Sequence, residues 1–552
     1  MTKKVEKNTL SVYGIQDVAD EKYPVLVHDH SMAFFESGRI SRFCQLERIT
    51  RIKHDNKLHM QIDRLLRDER IAGKKFSFVN CDNEAGRAFL SASGKFRFEA
   101  PINKKLTIIP EKGNCFIYGE KKDGYVINHE LAHIYSCMPF FGKFRNNSLL
   151  VHYDGGASKS NFSAWHFLNG QLIPVEYHYH LKHLTSIFNT NALVFSILKG
   201  NVTNQNGIPG KLMGYAAYGK YKPELEEWFV KNDMFKDIWK NKNVFFKKAK
   251  DDLNITIHSF DQKNTFLQNI VATLHHIFER ESFDKFKQLQ EATGARYLYY
   301  AGGCALNIKL NTKLVKSELF KDVFISPCAN DSGLAIGAGA FFQHSRGMEI
   351  ENHSPYLNNW GIADYQVKFK EKDIAVLASL LVENKVIGVC NGYGEAGPRA
   401  LGNRSIIALA SSSELARKVS MKYKGREWYR PVAPVMIEKN AEYFTGEKMH
   451  HLSRYMLLDY KIIPGRIKEI RGCVHVDGSA RIQTLFTPED NPYLFALLDY
   501  IDRKYGIKAL INTSFNYRGR PMVHTLEDAR KEASLMKLDG LVWNGKLTGI
   551  KE

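Results

Sequence analysis

The sequence contains few of the features that mark secreted, membrane-spanning or disulfide-stapled proteins. Its eight cysteines are scattered without a Cys-x-x-Cys pair, which argues against both a zinc knuckle and a disulfide framework. Apolar runs such as Ile374–Val382 are far too short to span a bilayer. The first ten residues include lysines but no apolar core of a signal peptide, so the cytoplasm is the expected location.

Positive charge is in excess, with a formal net charge of +19 at pH 7. Such a balance can indicate an anionic partner, for example a nucleotide, a phosphorylated sugar, an anionic polysaccharide or nucleic acid. The competing interpretation is a lysine-rich composition spread over solvated surfaces. Because the sequence has no dense basic run and no nucleic-acid-binding motif, nucleic acid stays open as a partner but is not indicated.

The stretch Glu395–Ser405 combines glycines, a proline and two arginines, Arg399 and Arg404. It follows the apolar run Val386–Cys390, which predicts a buried strand. Glycine lets backbone approach a ligand closely, and arginine offers a planar fork that matches phosphate or carboxylate. The pattern is typical of a rigid anion site, but a surface turn with solvated arginines would also satisfy it.

Three more clusters of cations, hydroxyls and amides follow in the same part of the chain. They lie in Lys424–Pro431, Asp477–Arg481 and Asn512–Asn516. Four such clusters in one segment favour a convergent phosphate site over four unrelated turns.

The motifs EAGPRALGNRSI, KGREWYRPVAP, HVDGSARIQT and LINTSFN resemble those of the NodU/CmcH-type O-carbamoyltransferases of nodulation-factor and antibiotic biosynthesis. The resemblance extends towards the N-terminus and covers most of the chain. It implies an α/β protein whose residues 1–348 form a duplicated actin/hexokinase-like (ASKHA) domain. A linker at 349–372 and a YrdC-like α/β domain at 373–552 would follow.

The residues themselves also favour duplication in the N-terminal part. Residues 26–40 predict a strand, a polar turn and two further strands, and residues 149–177 repeat the pattern. In the second copy, Asn169-Gly170 between alternating segments predicts a β-hairpin. Two such units indicate the fold of actin and sugar kinases, which binds ATP between its halves. The resemblance implies these nucleotide-binding residues: Asp154, Gly155, Lys211, Gly302, Gly303 and Asn307.

A possible metal site lies in Asn128–His133, which contains the pattern HExxH. On a helix, His129 and His133 would share one face and could hold one cation. Alone, this is the zinc-protease motif with Glu130 as general base, although two core histidines would give the same pattern. The resemblance instead implies a divalent metal held by His129, His133 and Asp331, with iron expected and zinc or manganese compatible. The protease hypothesis leaves the other motifs unexplained.

The resemblance also implies a mechanism in two steps. Carbamoyl phosphate is a poor direct donor to an alcohol, whereas exchange of its phosphate for the AMP of ATP gives a carbamoyl adenylate. The adenylate would form in the C-terminal domain, where these residues would hold it: Arg399, Lys424, Arg430, Arg481, Thr513 and Ser514. The carbamoyl group would then pass to an acceptor hydroxyl in the N-terminal domain.

Two residues are candidates for the transfer step. His28 is the candidate general base, because a neutral imidazole accepts a proton near pH 7. Lys53 would polarise the carbonyl or hold phosphate. The structural alternatives are that His28 only orients its loop and that Lys53 only pairs with an acidic residue.

Two further functions fit parts of the pattern. A threonylcarbamoyl-type tRNA-modification enzyme would use similar domains and would suit the positive charge, but the GPRALGNRS signature and the domain order argue against it. A nucleotide-sensing protein without activity would keep the fold. The sequence does not specify the acceptor, which could be a sugar, a natural product or a modified nucleotide, nor the role of the lysine-rich residues 220–262. It is compatible with a homodimer.

Overall fold

The structure is a computed structural model that describes residues 6–16, 27–101, 103, 105–188, 193–200, 202–233, 241–363 and 366–550. Three large mixed sheets and the helices around them make up these residues. None of the helices in these ranges combines the length and the apolar character needed to cross a membrane.

The first sheet has eight strands in the order β3-β2-β1-β4-β8-β7-β6-β5. They are β1 (Asn8–Tyr13), β2 (Ser31–Glu36), β3 (Arg39–Gln45), β4 (Ser77–Cys81), β5 (Phe89–Leu90), β6 (Phe96–Glu99), β7 (Glu111–Ile117) and β8 (Glu120–Ile127). The accompanying helices are α1 (Leu46–Thr50), α2 (Leu58–Asp68), α3 (His129–Tyr135) and α4 (Met138–Phe141). The strand predicted to start at residue 26 falls partly outside the described residues, and Val27 is in no strand. The strand that lies between β2 and β4 in the sheet is β1.

The second sheet has the order β11-β10-β9-β12-β13. Its strands are β9 (Ser148–Tyr153), β10 (Phe162–Leu168), β11 (Gln171–His178), β12 (Tyr297–Ala301) and β13 (Asp322–Ile325). The helices are α5 (Lys182–Ser186), α6 (Leu193–Ile197), α7 (Ile208–Ala216), α8 (Pro223–Asn232), α9 (Lys242–Leu253), α10 (Thr265–Thr293), α11 (Ile308–Lys316) and α12 (Leu334–Ser345). The lysine-rich segment includes α8 and α9, and its residues 234–240 lie outside the described ranges.

The two sheets repeat one topology, which confirms the predicted duplication. In each sheet the first strand pairs antiparallel with the second, and the second pairs antiparallel with the third. In each sheet the first strand also pairs in parallel with the fourth, which pairs in parallel with one later strand, β8 in the first sheet and β13 in the second. The predicted Asn169-Gly170 hairpin is the β10–β11 connection, with both residues at positive φ as such a turn requires.

The third sheet has seven strands in the order β19-β16-β20-β15-β14-β21-β22, and β17 pairs with β18. The strands are β14 (Ile387–Cys390), β15 (Arg404–Leu409), β16 (Ala433–Ile437), β17 (Tyr460–Lys461), β18 (Ser479–Ala480), β19 (Gln483–Leu485), β20 (Leu510–Ser514), β21 (Gly540–Trp543) and β22 (Lys546–Thr548). The helices are α13 (Glu371–Val382), α14 (Ser413–Arg417), α15 (Glu438–Thr445), α16 (Ile467–Ile470), α17 (Pro492–Tyr505) and α18 (Leu526–Met536). The predicted α/β class is therefore confirmed.

A glycine allows the helices between the first two sheets to approach each other. A Cβ atom at Gly337 of α12 would lie 1.6 Å from the carbonyl oxygen of Ala132 in α3, so no other residue fits there. This contact fixes α3 against α12. It therefore sets the histidines of α3 beside the turn Asp331–Gly333, which precedes α12.

The predicted linker segment is partly buried between the N-terminal and C-terminal halves. Trp360 is 1% exposed, and its indole nitrogen donates to the Leu65 carbonyl at 3.1 Å. Asn358 forms isolated bridges to Phe43 on one side and to Gly394 on the other. These contacts connect the first sheet to the stretch Glu395–Ser405, which we call the signature stretch.

Candidate metal centre and phosphate sites

A buried cluster of two histidines and an aspartate lies at the start of α3. The Asn128 side chain accepts a hydrogen bond from the Leu131 amide at 3.1 Å and so caps this helix. One helical turn separates the two histidines, and their Nε2 atoms are 3.0 Å apart. The Oδ1 atom of Asp331 lies 3.7 Å from Nε2 of His129 and 3.5 Å from Nε2 of His133.

These residues fit a divalent metal ion. Two ligands about 2.0–2.1 Å from a cation and at right angles to each other lie about 3 Å apart, which matches the spacing of the two nitrogens. All three ligand atoms lie within 4.8 Å of one another. Two imidazoles and one carboxylate suit iron, zinc and manganese alike, so the donor set does not select among these metals.

Two residues outside the predicted site orient this cluster. The Tyr13 hydroxyl donates to Oδ2 of Asp331 at 3.0 Å, and Asn83 Nδ2 donates to the Tyr13 oxygen at 3.2 Å. Burial would lower the pKa of His129, but the neighbouring Asp331 carboxylate raises it to about 9. The charges of His28 and His129 in turn hold the pKa of Asp331 well below its usual value despite burial. No sequence motif marked Tyr13 or Asn83.

Glu130, the glutamate of HExxH, is engaged away from the histidines. It is fully buried and accepts hydrogen bonds from the Ser158 hydroxyl at 2.6 Å and from the amides of Lys159 and Ser160 at 2.6 and 3.0 Å. A general base of a metalloprotease must be free to take a proton from water. This arrangement therefore argues against the protease hypothesis.

Two glycine-containing loops lie beside the cluster, at the carboxyl ends of the parallel strands β9 and β12. Asp154 follows β9; its Oδ2 accepts a hydrogen bond from the Gly303 amide and lies 3.7 Å from Nε2 of His133. Its Oδ1 accepts from the Gly155 amide. Gly302 has φ +102°, and a Cβ there would lie 2.2 Å from the Tyr153 carbonyl oxygen. The structure thus brings four of the predicted nucleotide-binding residues next to the candidate metal centre.

The other two predicted nucleotide-binding residues have partners elsewhere. Asn307 caps α11, because its Oδ1 accepts from the amides of Lys309 and Leu310 at 3.1 Å. Lys211 lies 3.0 Å from a carboxylate oxygen of Glu427, which belongs to the C-terminal half. The structure therefore places Lys211 at the junction with the C-terminal half.

His28 belongs to a second polar cluster in the N-terminal half. Its Nδ1 lies 3.0 Å from Asp29 Oδ2, and Nδ1 of His54 lies 2.9 Å from Asp29 Oδ1. Desolvation would lower the pKa of His28, but the carboxylates of Asp331, Asp29 and Asp154 raise it to about 9. His28 is therefore close enough to the candidate metal centre for the Asp331 charge to raise its pKa.

Lys53 and His30 are held by local partners. The Lys53 ammonium lies 2.8 Å from Glu47 Oε2, the ion pair that the structural alternative describes. His30 is buried: its Nε2 bonds the Ile15 carbonyl at 3.2 Å, and its Nδ1 accepts from the Leu58 amide at 3.3 Å. Burial lowers the pKa of His30 to about 3, so this residue is neutral.

Four guanidinium groups come together in the C-terminal half. They belong to Arg399, Arg426, Arg430 and Arg481, and we call them the arginine cluster. Burial and the neighbouring arginines lower the pKa of Arg399 and of Arg426 well below the usual value. Burial and Arg430 likewise lower the pKa of Arg481 to about 10.

The arginine cluster has almost no compensating negative charge. Arg430 lies 3.4 Å from a carboxylate oxygen of Glu427. Within the described part of the chain, no carboxylate lies within 4.0 Å of the guanidinium nitrogens of Arg399, Arg426 or Arg481. Partly buried cations normally have a carboxylate or another anion beside them, so this cluster is suited to bind an anionic ligand. Arg426 was not among the predicted site residues, although it stands in the motif KGREWYRP.

Lys424 and the β20 residues border the arginine cluster. The Lys424 ammonium donates to the carbonyl oxygen of Ser514 and to Asn516 Oδ1, the latter at 2.8 Å. Burial, Arg426 and Arg430 lower its pKa well below the usual value. The Thr513 hydroxyl has no hydrogen-bond partner among the described residues, although the side chain is buried. Lys424 and Ser514 thus lie beside the arginine cluster, since the Ser514 hydroxyl is also 3.5 Å from the Arg426 guanidinium.

The signature stretch has a structural core. The Arg404 guanidinium is fully buried and donates to four carbonyl oxygens at 2.8–2.9 Å, among them those of Asn391 and His524. Of the two arginines in this stretch, only Arg399 therefore belongs to the anion site.

The signature stretch also touches the N-terminal half. Arg48 donates to the Gly397 carbonyl at 3.0 Å. Gly397 has φ +96°, and a Cβ there would lie 2.2 Å from the carbonyl oxygen of Pro327. Pro327 begins the loop that leads to Asp331. The loop of the candidate metal centre and the loop of Arg399 are thus packed against each other.

Comparison with known families assigns the chain to a class. Residues 75–340 match the family model "Carbamoyltransferase N-terminus", and residues 378–549 match "Carbamoyltransferase C-terminus". The chain therefore belongs to the carbamoyltransferase family and is an enzyme of that class.

The chain is also similar to several named proteins. The chain is 27% identical to nodulation protein NolNO of Sinorhizobium fredii over 94% of its own length and 78% of that protein. It is 34% identical to nodulation protein U of Azorhizobium caulinodans, but this match covers only 46% of each chain. Among solved structures, full-length HypF in its phosphate- and nucleotide-bound form is similar over 64% of this chain and 57% of HypF, with 12% identity and a TM-score of 0.32.

Proposed function

We propose that this protein is an ATP-dependent O-carbamoyltransferase that works at two sites. In the C-terminal half, at residues 373–552, carbamoyl phosphate, water and ATP would form a carbamoyl adenylate with release of phosphate and pyrophosphate. In the N-terminal half, at residues 1–348, the carbamoyl group would pass to an acceptor hydroxyl, and residues 349–372 would connect the halves. The arginine cluster is the observation that carries the proposal, because four like charges with only the Glu427 carboxylate beside them favour binding of an anionic ligand.

In the first step, the residues of the C-terminal half hold anionic groups and neutralise charge. Arg399, Arg430 and Arg481 face the phosphate oxygens, and their fixed positions favour the charged transition state of phosphoryl exchange. The Lys424 ammonium donates hydrogen bonds to Ser514 and Asn516 and so fixes the C-terminal end of β20. The unpartnered Thr513 hydroxyl is free to bond phosphate or the carbamoyl group.

In the second step, His129, His133 and Asp331 would hold a divalent metal ion, with iron expected from the family resemblance. A cation bound there supplies positive charge opposite the adenylate phosphate. The loops at Asp154 and Gly303 lie beside these ligands, and main-chain amides of these loops would bind the phosphate.

His28 is the proposed base for the acceptor hydroxyl. Its Nδ1 is bonded to Asp29, so the proton would be accepted at Nε2. The imidazole must be neutral for this role, and its pKa of about 9 depends on the carboxylate charge of Asp331. Neutralisation of that charge would move the pKa of His28 towards the range in which a base works at pH 7. Lys53 would contribute by holding Glu47 and the segment that follows α1.

The acceptor is proposed to be a small hydroxylated molecule, either a sugar, a natural product or a modified nucleotide. Mass spectrometry of candidate acceptors incubated with the enzyme, ATP and carbamoyl phosphate would identify it by the gain of one carbamoyl group. A homodimer stays a prediction, which the mass of the protein in solution would test.

The experiment that tests the proposal measures ATP consumption with and without carbamoyl phosphate. We expect AMP to form only when carbamoyl phosphate is present, and Arg430→Ala to abolish it while the protein stays folded. Absence of carbamoyl phosphate dependence in the wild type would refute the proposal. A parallel assay with tRNA and threonine tests the threonylcarbamoyl alternative.

A further inference from the structure

Two adjacent histidines of the C-terminal half meet an aspartate of the N-terminal half at the start of β13. Nε2 of His450 lies 3.2 Å from Oδ1 of Asp322, and Nε2 of His451 lies 3.0 Å from the same oxygen. The ligand atoms of the three side chains all lie within 4.8 Å of one another. We call these three residues the junction cluster.

The junction cluster and the candidate metal centre lie at opposite edges of the second sheet. Asp322 pairs with Tyr297, the first residue of the parallel strand β12, so the cluster is at the amino ends of these strands. The Asp154 and Gly303 loops beside the candidate metal centre follow the carboxyl ends of β9 and β12. A five-residue strand such as β12 spans roughly 13 Å. One ion therefore cannot serve both groups.

The carboxylate oxygen at the centre of the junction cluster is crowded with donors. Besides the two imidazoles, the Val323 amide donates to Oδ1 of Asp322 at 2.9 Å. A carboxylate oxygen offers two lone-pair sites, so three donors compete for two positions. A cation bonded to this oxygen and to both ring nitrogens would take the place of two donors. The other oxygen, Oδ2, lies 3.7 Å from the guanidinium of Arg145.

The two imidazoles are not equally ready to bind a cation. Nδ1 of His450 accepts from the Leu452 amide at 3.2 Å, which places the ring proton on Nε2. Binding through Nε2 moves that proton to Nδ1 and replaces this bond. The ring of His451 is stacked on Phe324 at 5.3 Å, and burial lowers its pKa, which keeps it in the neutral form that binds metals. His451 is therefore the stronger ligand.

The donor set selects a class of ion. Two imidazoles and one carboxylate suit borderline divalent transition metals such as Zn²⁺ rather than Ca²⁺ or Mg²⁺. The three side chains are between 21% and 27% exposed, so water can reach the ion and complete its coordination. Three protein ligands and bound water form an accessible site, and its ion would exchange with the solution.

We propose that the junction cluster binds a divalent transition-metal ion, with zinc as the reference ion, and that this ion joins the N-terminal half to the C-terminal half. The segment that follows the two histidines already docks on α11. Asn311 Nδ2 donates to the Leu457 carbonyl at 3.1 Å, and the Lys309 ammonium lies 2.7 Å from Asp459. The ion would add a link through β13 to these links through α11.

The amount of bound metal tests the site. Full-length wild type and the double variant His450→Gln/His451→Gln are dialysed against excess Zn²⁺, and their zinc contents are measured. Glutamine keeps a side-chain N–H for Asp322, so the fold should be retained. We expect the double variant to bind one zinc ion fewer per chain than the wild type. Equal zinc contents would overturn the proposal.

Two further variants sharpen this measurement. Asp322→Asn removes the charge but keeps an oxygen for the Val323 amide, and it should lose the same ion. His258→Gln is the matched control, because His258 is exposed and belongs to no group of possible metal ligands in the described part of the chain. It should bind as much zinc as the wild type. Loss of zinc in the control as well would mean that the metal binds surface histidines without selection.

Anomalous scattering at the zinc edge, from zinc-soaked crystals of the wild type, locates the ion. We expect a peak between Asp322 and the two imidazoles, separate from any peak at the candidate metal centre. Extra zinc that lies elsewhere on the surface would remove the assignment. The proposed carbamoyl transfer can fail without affecting this result, because none of the three ligands belongs to the arginine cluster or to the candidate metal centre.

Thermal unfolding tests the link between the halves. Zinc should raise the melting temperature of the wild type more than that of the double variant, because the ion binds only the docked arrangement. In the presence of a chelator the two proteins should melt alike. A zinc-dependent rise of the same size in both would show that an ion at the junction cluster does not hold the halves together.

Discussion

The Tyr13 hydroxyl donates a hydrogen bond to Asp331 Oδ2 at 3.0 Å, across 318 residues of sequence. This bond occupies one carboxylate oxygen and leaves Oδ1 facing the Nε2 atoms of His129 and His133. The aspartate is therefore oriented before any ligand arrives. Partners of this kind fix the geometry of metal ligands and raise their affinity for the ion.

The first prediction concerns this bond. Tyr13→Phe removes the donor but keeps the ring, so the fold should be retained while Asp331 loses its orientation. We expect affinity for a divalent metal to fall about 10- to 100-fold. Competition between the protein and a chelator for Co²⁺ would measure the affinity. Tyr125→Phe is a suitable control, because that hydroxyl bonds the exposed Arg346. Wild-type affinity in Tyr13→Phe would show that the bond does not orient a ligand.

The second prediction separates two kinds of arginine. Arg481→Met removes one of four crowded positive charges, so the ligand-free protein should become more stable by about 1 kcal/mol while AMP formation is lost. Arg404→Met removes the donor to four buried carbonyl groups, of which that of Asn403 still accepts from the Asn391 amide, and should cost about 3 kcal/mol or more. Thermal unfolding of both variants without ligand checks the contrast. A comparable loss of stability in both would mean that Arg481 is a structural residue.

The third prediction concerns pH and the contact of α11 with the C-terminal half. The Lys309 ammonium lies 2.7 Å from Asp459 Oδ2 and 2.9 Å from Asp477 Oδ2. Burial opposes ionisation of Asp477, but Lys309 holds its pKa well below the usual value. A carboxyl whose folded pKa is depressed adds stability above its unfolded pKa of about 3.9 and loses it as pH falls through the folded pKa.

Lys309→Met should therefore lower the melting temperature most between pH 6 and 8, and the difference from the wild type should shrink below about pH 4. Melting curves of both proteins across this range provide the measurement. Lys316→Met is a control, since the side chain of its partner Glu447 is more accessible to solvent than that of Asp477. A difference that is constant with pH would mean that Lys309 contributes through packing rather than charge.

The fourth prediction concerns Glu130. Glu130→Gln keeps the shape but replaces one acceptor oxygen by an amide group, so the turn at residues 158–160 should loosen. We expect metal affinity close to that of the wild type and weaker nucleotide binding at the N-terminal cleft. Metal analysis and nucleotide titration measure the two effects separately. Proteolytic activity in the wild type that disappears in Glu130→Gln would instead revive the metalloprotease hypothesis.

Local patterns in the sequence predicted much of the fold. The Asn169-Gly170 hairpin and the helix that carries HExxH both depend on neighbouring residues, and both are found. The duplicated topology followed from the repetition of one such pattern. The strand β1 was missed, because no sequence pattern distinguishes a short strand such as Asn8–Tyr13 from other short apolar segments.

Contacts between distant residues were not predictable in the same way. The sequence offers no indication that Tyr13 meets Asp331, or that Lys211 leaves the N-terminal cleft to pair with Glu427. These pairings follow from how the two halves pack, which side-chain chemistry alone does not fix. Arg399 and Arg404 illustrate the same limit, since identical side chains five residues apart serve a charged cluster and a buried scaffold.

Gly397 has a consequence for how this enzyme could be engineered. Its backbone is pressed so closely on Pro327 that even a methyl group would force the two loops apart. In a hybrid whose C-terminal half is exchanged for that of a relative, the Pro327 loop would come from one protein and the loop of Gly397 from the other. Success would depend less on the grafted active-site residues than on whether the two main chains meet there without a collision.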